Sequence, residues 1–143
     1  MNWNLTPNEE RLHLWKKLRE EIKSLPLESQ LNSLAKFCQS MPIGRRSIDY
    51  YTPESWPTPW EILFHGTFCT SSISLLMFHT LIMAGRDPVL ELVDDGEDVF
   101  LLPVIDYHYI LNYELGKVSS YSDLKDNFKI LQSFSQEEIK QIT

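Results

Sequence analysis

The segment from Cys69 to Gly85 reads CTSSISLLMFHTLIMAG, and it restricts the fold more than any other part of the chain. From Ile73 to Ala84 nearly every residue is apolar, so a helix here has no face suited to water. About twelve such residues fall short of the roughly 20 that cross a bilayer, and His79 lies among them. A buried helix is therefore expected, and the rest of the chain must supply the layers that cover it. Ile73, Leu76, Met77, Leu81 and Ala84 form its wide apolar face. Thr70, Ser71 and Ser72 offer capping oxygens at its start, and Gly85 is a natural stop.

Upstream, Thr6-Pro7-Asn8-Glu9 carries an oxygen cap, a proline for the first helical position and a Glu three residues past the cap. Leu12, Trp15, Leu18, Ile22 and Leu25 follow as one apolar stripe, which Pro26 interrupts. A second stripe runs through Leu27, Leu31, Leu34, Cys38 and Met41, so Cys38 is expected as a small buried hydrophobe. Residues 1–42 thus read as a helical hairpin. Residues 43–59, rich in proline and aromatics, read as a packed loop. Thr58-Pro59-Trp60-Glu61 repeats the start signal and opens a short helix that Gly66 ends, within a helical stretch of 60–85 that contains Cys69.

After Pro88 the period drops from 3.6 to 2. Residues 89–93 (VLELV), 98–105 (DVFLLPVI) and 109–115 (YILNYEL) read as strands of an antiparallel meander of three to four strands over 88–120. The middle strand is apolar at nearly every position and belongs at the centre; Pro103 calls for a bulge or a locally one-sided edge. C-terminal helices are expected over 121–143: a weak one near Asp123 to Ser133, and one capped by Ser135 with Glu138. The fold class is α+β, one domain of 143 residues.

Charge narrows the functions. With 13 basic against 20 acidic residues the net charge is -7, and no Lys/Arg cluster extends beyond Gly44-Arg45-Arg46, so nucleic acid is not an expected partner. No signal-peptide pattern and no bilayer-length run is present, and two cysteines without such a signal suit free thiols in the cytoplasm. No metal site is expected: the cysteines lie thirty-one residues apart, and Asp94-Asp95-Gly96-Glu97-Asp98 lacks the ligand spacing of a calcium loop. No cofactor motif is present, and oligomeric state is not legible.

A thiol at a helix N-terminus feels unpaired amides and the positive end of the helix dipole, both of which favour thiolate. Cysteine opening an apolar helix, glycine sixteen residues on and a strand meander behind it resemble the transglutaminase-like branch of the papain-like thiol enzymes. The likeness spans residues 56 to 115, and the stretch from Ser55-Trp56 to Cys69 is also similar to small phage-encoded proteins of this type. It implies Cys69 as nucleophile, a histidine opening the next-but-one strand and an acid ending the one after. Asp98 falls where that histidine belongs, and Asn112 where the acid belongs. A carboxylate cannot act as base and then acid near neutral pH as imidazole does. His65, close before Cys69, and His108, at the start of the third strand, are the candidate substitutes; His79 lies about 15 Å along the helix from the thiol.

Tyr50, Tyr51, Trp56 and Trp60 crowd the loop before Cys69. They either roof the sheet or line a binding surface that leads to the thiol. The expectation is a degenerate transglutaminase-like domain that binds a protein partner, phage-encoded and acting inside the infected host cell or in the virion. The alternative is an active thiol enzyme of acyl transfer or amide hydrolysis.

Overall fold

The computed structural model describes residues 2–142. Helix α1 (Asn8–Ile22) and helix α2 (Leu27–Cys38) form the hairpin on either side of Pro26. Gln30 locks the corner: its buried amide donates to the Ile22 carbonyl at 2.8 Å and accepts from Arg86 Nε at 2.8 Å. The expected cap at Thr6 is not made, because its hydroxyl donates to the Asn2 carbonyl and α1 starts one residue after Pro7. Helix α3 (Pro59–His65) has the full capping box, with Glu61 N donating to Thr58 Oγ1 and Thr58 N to Glu61 Oε1.

Helix α4 (Thr70–Met83) is the apolar segment, buried from Ser71 through Phe78 and again at Thr80 and Leu81. Its C-terminus closes on Gly85 at φ +86°, with Arg86 N donating to the Leu81 carbonyl and Gly85 N to the Ile82 carbonyl. That left-handed closure satisfies carbonyls that the helix itself leaves unpaired. Trp15 crosses to α4 and donates its indole N–H to Thr80 Oγ1 at 2.9 Å.

The other side of α4 faces a five-stranded antiparallel sheet ordered β4-β3-β2-β1-β5. Its strands are β1 (Val89–Asp94), β2 (Val99–Ile105), β3 (Tyr109–Leu111), β4 (Val118–Ser120) and β5 (Lys129–Phe134). Leu90, Leu92, Leu101 and Ile105 join the α4 core. Val93, Leu102, Val104 and Ile110 form a smaller core on the opposite face, covered by Tyr113, Tyr121, Leu124 and Phe128. Alternation along each strand thus supplies both layers.

Two further expectations change. The segment from Asp123 to Ser133 is not a helix: a short α5 (Tyr121–Leu124) ends, and β5 pairs with β1 at the sheet edge. Five of the six β5 residues are exposed, so the strand lacks the two-residue alternation that would announce it. Strand β3 ends at Leu111 rather than 115, because Asn112 takes φ +67° and turns the chain out of the ladder. Pro103 is tolerated for the same reason. The β2–β3 register stops at Val104↔Ile110, so no partner strand lies where its missing N–H would be asked for. Helix α6 (Gln136–Ile142) begins as read, with Glu138 N donating to Ser135 Oγ at 3.2 Å. Among the described residues no helix is long and apolar enough to cross a membrane.

Two glycines with positive φ should respond differently to alanine. At Gly85 a new Cβ meets nothing within 4 Å, so Gly85→Ala should cost about 1 kcal/mol of backbone strain. At Gly66 (φ +68°) the Cβ would come 2.7 Å from the Arg11 guanidinium, which is fixed by the Leu63 and Phe64 carbonyls. Urea denaturation should find Gly66→Ala the more destabilised; equal losses would contradict that packing.

Candidate functional site

Cys69 sits where α3, the aromatic loop and α4 meet. Arg11 fixes the approach: it donates to the carbonyls of Leu63 (2.6 Å), Phe64 (2.8 Å) and Thr6, so a buried cation occupies the negative end of α3. Gly66 then turns the chain, and Phe68 pairs with Ile43 while its carbonyl accepts from Gly44 N at 2.7 Å. This brings Ser47 alongside the thiol.

The thiol is the N-cap of α4. Cys69 Sγ accepts from Ser72 N at 3.4 Å, and Ser72 Oγ accepts from Cys69 N at 2.9 Å, a reciprocal box built on sulfur. Ser47 Oγ lies 3.8 Å from the sulfur. Cys69 is only 3% exposed. Burial pushes its thiol up, but hydrogen bonds from the Ser47 and Ser72 amides and hydroxyls outweigh that and hold its pKa below 9.0. Cys38 lies in pure hydrocarbon, and burial drives its thiol far upward.

Asn112 comes to the same helix start. Its φ of +67° swings the amide under the first turn, where Nδ2 donates to the Thr70 carbonyl (2.8 Å) and to Ser74 Oγ (2.9 Å). The side chain that family likeness assigns to orienting an imidazole is committed to α4. Asp98 lies on the exposed β1–β2 turn, where its amide donates to Asp95 Oδ1 at 2.8 Å. In β2, Leu101 and Ile105 face α4 while Phe100, Leu102 and Val104 face away, and Asp98 has the parity of the second set. Asp98 does help line an open depression of about 660 Å³ beside the helix start, with Arg46, Tyr50, Thr70 and Asp94. Between α4 and β2 stands Tyr50, whose hydroxyl accepts from Ser71 Oγ at 3.1 Å and donates to the Val99 carbonyl at 3.3 Å.

The histidines are elsewhere. His65 is exposed at the end of α3 and packs on Phe64. His108 is exposed at the β2–β3 turn against Tyr109, four residues or about 13 Å of strand from Asn112. Among the described residues, the hydrogen-bond partners of the Cys69 sulfur are Ser47 and Ser72. Ser47 left no sequence signal, because only the Ile43–Phe68 pairing brings it there; Ser72 was visible as a capping oxygen.

The aromatic loop divides. Tyr50 and Trp56 are buried; Trp56 packs on Phe134 and donates to the Asp49 carbonyl at 2.7 Å. Tyr51 and Trp60 are exposed.

The acidic turn does not gather a metal donor set. Asp94 Oδ1 accepts from Gly96 N, and Asp95 accepts from the Glu97 and Asp98 amides and the Tyr113 hydroxyl. Among the described residues no group of three or more His, Cys, Asp or Glu could hold an ion.

A cysteine capping a buried helix, backed by an antiparallel sheet, gives the transglutaminase-like, papain-like fold. Three solved structures of Legionella pneumophila LapG share it. The calcium-bound form has a TM-score of 0.73 at 17% identity, covering 92% of this chain and 78% of that one. A second LapG structure gives 0.73 at 14%, covering 95% and 90%. The EGTA-treated form gives 0.71 at 17%, covering 89% and 73%. At these identities the likeness is one of fold. No protein-family model matches the chain, and no curated protein matches its sequence.

The thiol environment fixes a pH dependence. The folded Cys69 pKa lies below 9.0, so its contribution to stability is fully present above that value and is lost as pH falls through the folded pKa. The stability difference between wild type and Cys69→Ala should therefore grow as pH rises towards 9.0. Cys38 is shifted the opposite way but is common to both proteins and cancels. A difference that stays flat or shrinks, measured by urea denaturation across that range, would overturn this reading of the sulfur's hydrogen bonds.

Proposed function

We propose that the chain is a transglutaminase-like domain without the proton-transfer partner of a thiol enzyme, and that it works by binding another protein. The accessory role expected for a small phage-encoded member belongs to this proposal. One observation carries it: the sulfur is held by two serines, while the asparagine is bonded to the helix start and the first carbonyl of β2 is bonded to Tyr50. A thiol enzyme needs a base that takes the thiol proton and returns it to the leaving group. Serine hydroxyls do not perform that cycle near neutral pH.

A second reading has one observation in its favour. The lowered thiol pKa is what a nucleophile requires, and His65 or His108 would then have to swing in as the base. In that reading Cys69 attacks an amide carbonyl, and the histidine protonates the departing amine before water releases the acyl group.

An assay of amide hydrolysis and acyl transfer with peptide and glutaminyl substrates separates the two. The binding reading expects no turnover above the uncatalysed rate and no difference between wild type and Cys69→Ala. Turnover that disappears in Cys69→Ala, and falls about a hundredfold or more in His65→Ala or His108→Ala, would establish the enzyme instead.

A further inference from the structure

We propose that the exposed ring of Trp60 and the two apolar troughs beside it form a docking site for a proline-rich, basic segment of a partner protein. This rests on the binding reading above and names a surface and a partner chemistry for it. Trp60 is 49% exposed and stands on the first turn of α3 with its edge against Trp15 at 5.4 Å. On one side Leu12, Phe64 and His65 line a trough of about 230 Å³. On the other, Pro53, Pro57, Pro59 and Ile139 line a second of about 120 Å³. Trp60 borders both, so its indole is a ridge between two shallow apolar pockets.

The indole N–H selects the occupant. Trp3 donates to Ser40, Trp15 to Thr80 and Trp56 to the Asp49 carbonyl. Trp60 alone of the four has no acceptor among the described residues. A chain in the polyproline II conformation makes no internal hydrogen bonds, so its carbonyls are free to accept, and its rigid rings enter aromatic troughs at small entropic cost. A ridge with a free donor between two apolar pockets fits that partner better than it fits a helix, whose carbonyls are already used.

Charge sets the flanks. Glu61 lines the first trough, Glu9 lies one turn before Leu12 on α1, and Glu54 follows Pro53; all three are exposed. Among the described residues no Lys or Arg lines either trough; His65 and His79 do, and of the flanking cations Lys16 lies one turn after Leu12 and Lys140 follows Ile139, which leaves the acidic side chains in the majority. The matching segment therefore carries arginine or lysine beside its prolines.

The test follows the Trp60 indole N–H resonance of the ¹⁵N-labelled full chain, assigned by its absence in Trp60→Phe. The ligand is a synthetic peptide with proline at every third position and arginines at one end. The resonance should move saturably. Trp60→Phe keeps a ring but loses the donor, and should weaken binding about fivefold to tenfold. Glu61→Gln, which can still cap α3, should weaken the arginine peptide and reduce its salt dependence. No movement at about 1 mM peptide, a Kd far above the range of useful recognition, would overturn the proposal. So would equal binding of a peptide with alanine in place of proline, or movement with protein concentration alone, which would assign the face to a second copy. Mass spectrometry of the recovered peptide separates the two claims. Cleavage would sink the binding-only reading and leave the docking site standing, whereas an intact peptide with a silent Trp60 would sink the docking site alone.

Discussion

A helix buried from Ser71 through Phe78 must settle most of the amides of its first turn within the protein, and here that task falls to a cysteine and a serine. Cys69 and Ser72 cap each other, Asn112 takes up the Thr70 carbonyl and Ser74, and Ser71 hands its hydrogen bond to Tyr50. Leaving such groups unpaired would cost about 1–3 kcal/mol each, a large share of a domain's net stability. The surroundings of the thiol therefore answer a structural demand of the helix start.

The same demand shapes the sheet. Asn112 can reach under α4 because the chain leaves β3 in a left-handed turn, and Pro103, paired with Leu90 of β1, has no register partner in β3. Tyr50 then bridges α4 and the first carbonyl of β2. The fold is shared with LapG, while the groups around the sulfur are arranged for hydrogen bonding to a helix end. What sets the thiol apart from Cys38 is polar contact: both are buried, yet only Cys69 has donors aimed at it.

Most of the scaffold was legible in the sequence because its signals are local. The Thr58–Glu61 box, the glycines at 66 and 85, the break at Pro26 and the short apolar runs of β1 and β2 each depend on a few neighbouring residues. β5 was not, since an edge strand with five of its six residues exposed has no alternating pattern and Lys129–Phe134 could as well have been a polar helix. In the site, Asn112 meets the first turn of the helix that Cys69 caps, through the Thr70 carbonyl and Ser74. Ser47 and the inward turn of Tyr50 were hidden, because both follow from the pairing of Ile43 with Phe68 across more than twenty residues. The loop's aromatics could not be sorted by sequence either: Tyr50 and Tyr51 are neighbours, yet one is buried and the other is 71% exposed.

The most direct test of whether this thiol has a proton-transfer partner is an NMR titration of the four imidazoles, His13, His65, His79 and His108, in wild type and Cys69→Ala. A thiolate paired with an imidazole would raise that histidine's pKa, and removing the sulfur would bring it back. The expected result is four titration curves that superimpose between the two proteins. A histidine whose midpoint falls by about one unit or more when the sulfur is removed, a change of about 1.4 kcal/mol, would show that the thiol has an acid–base partner after all.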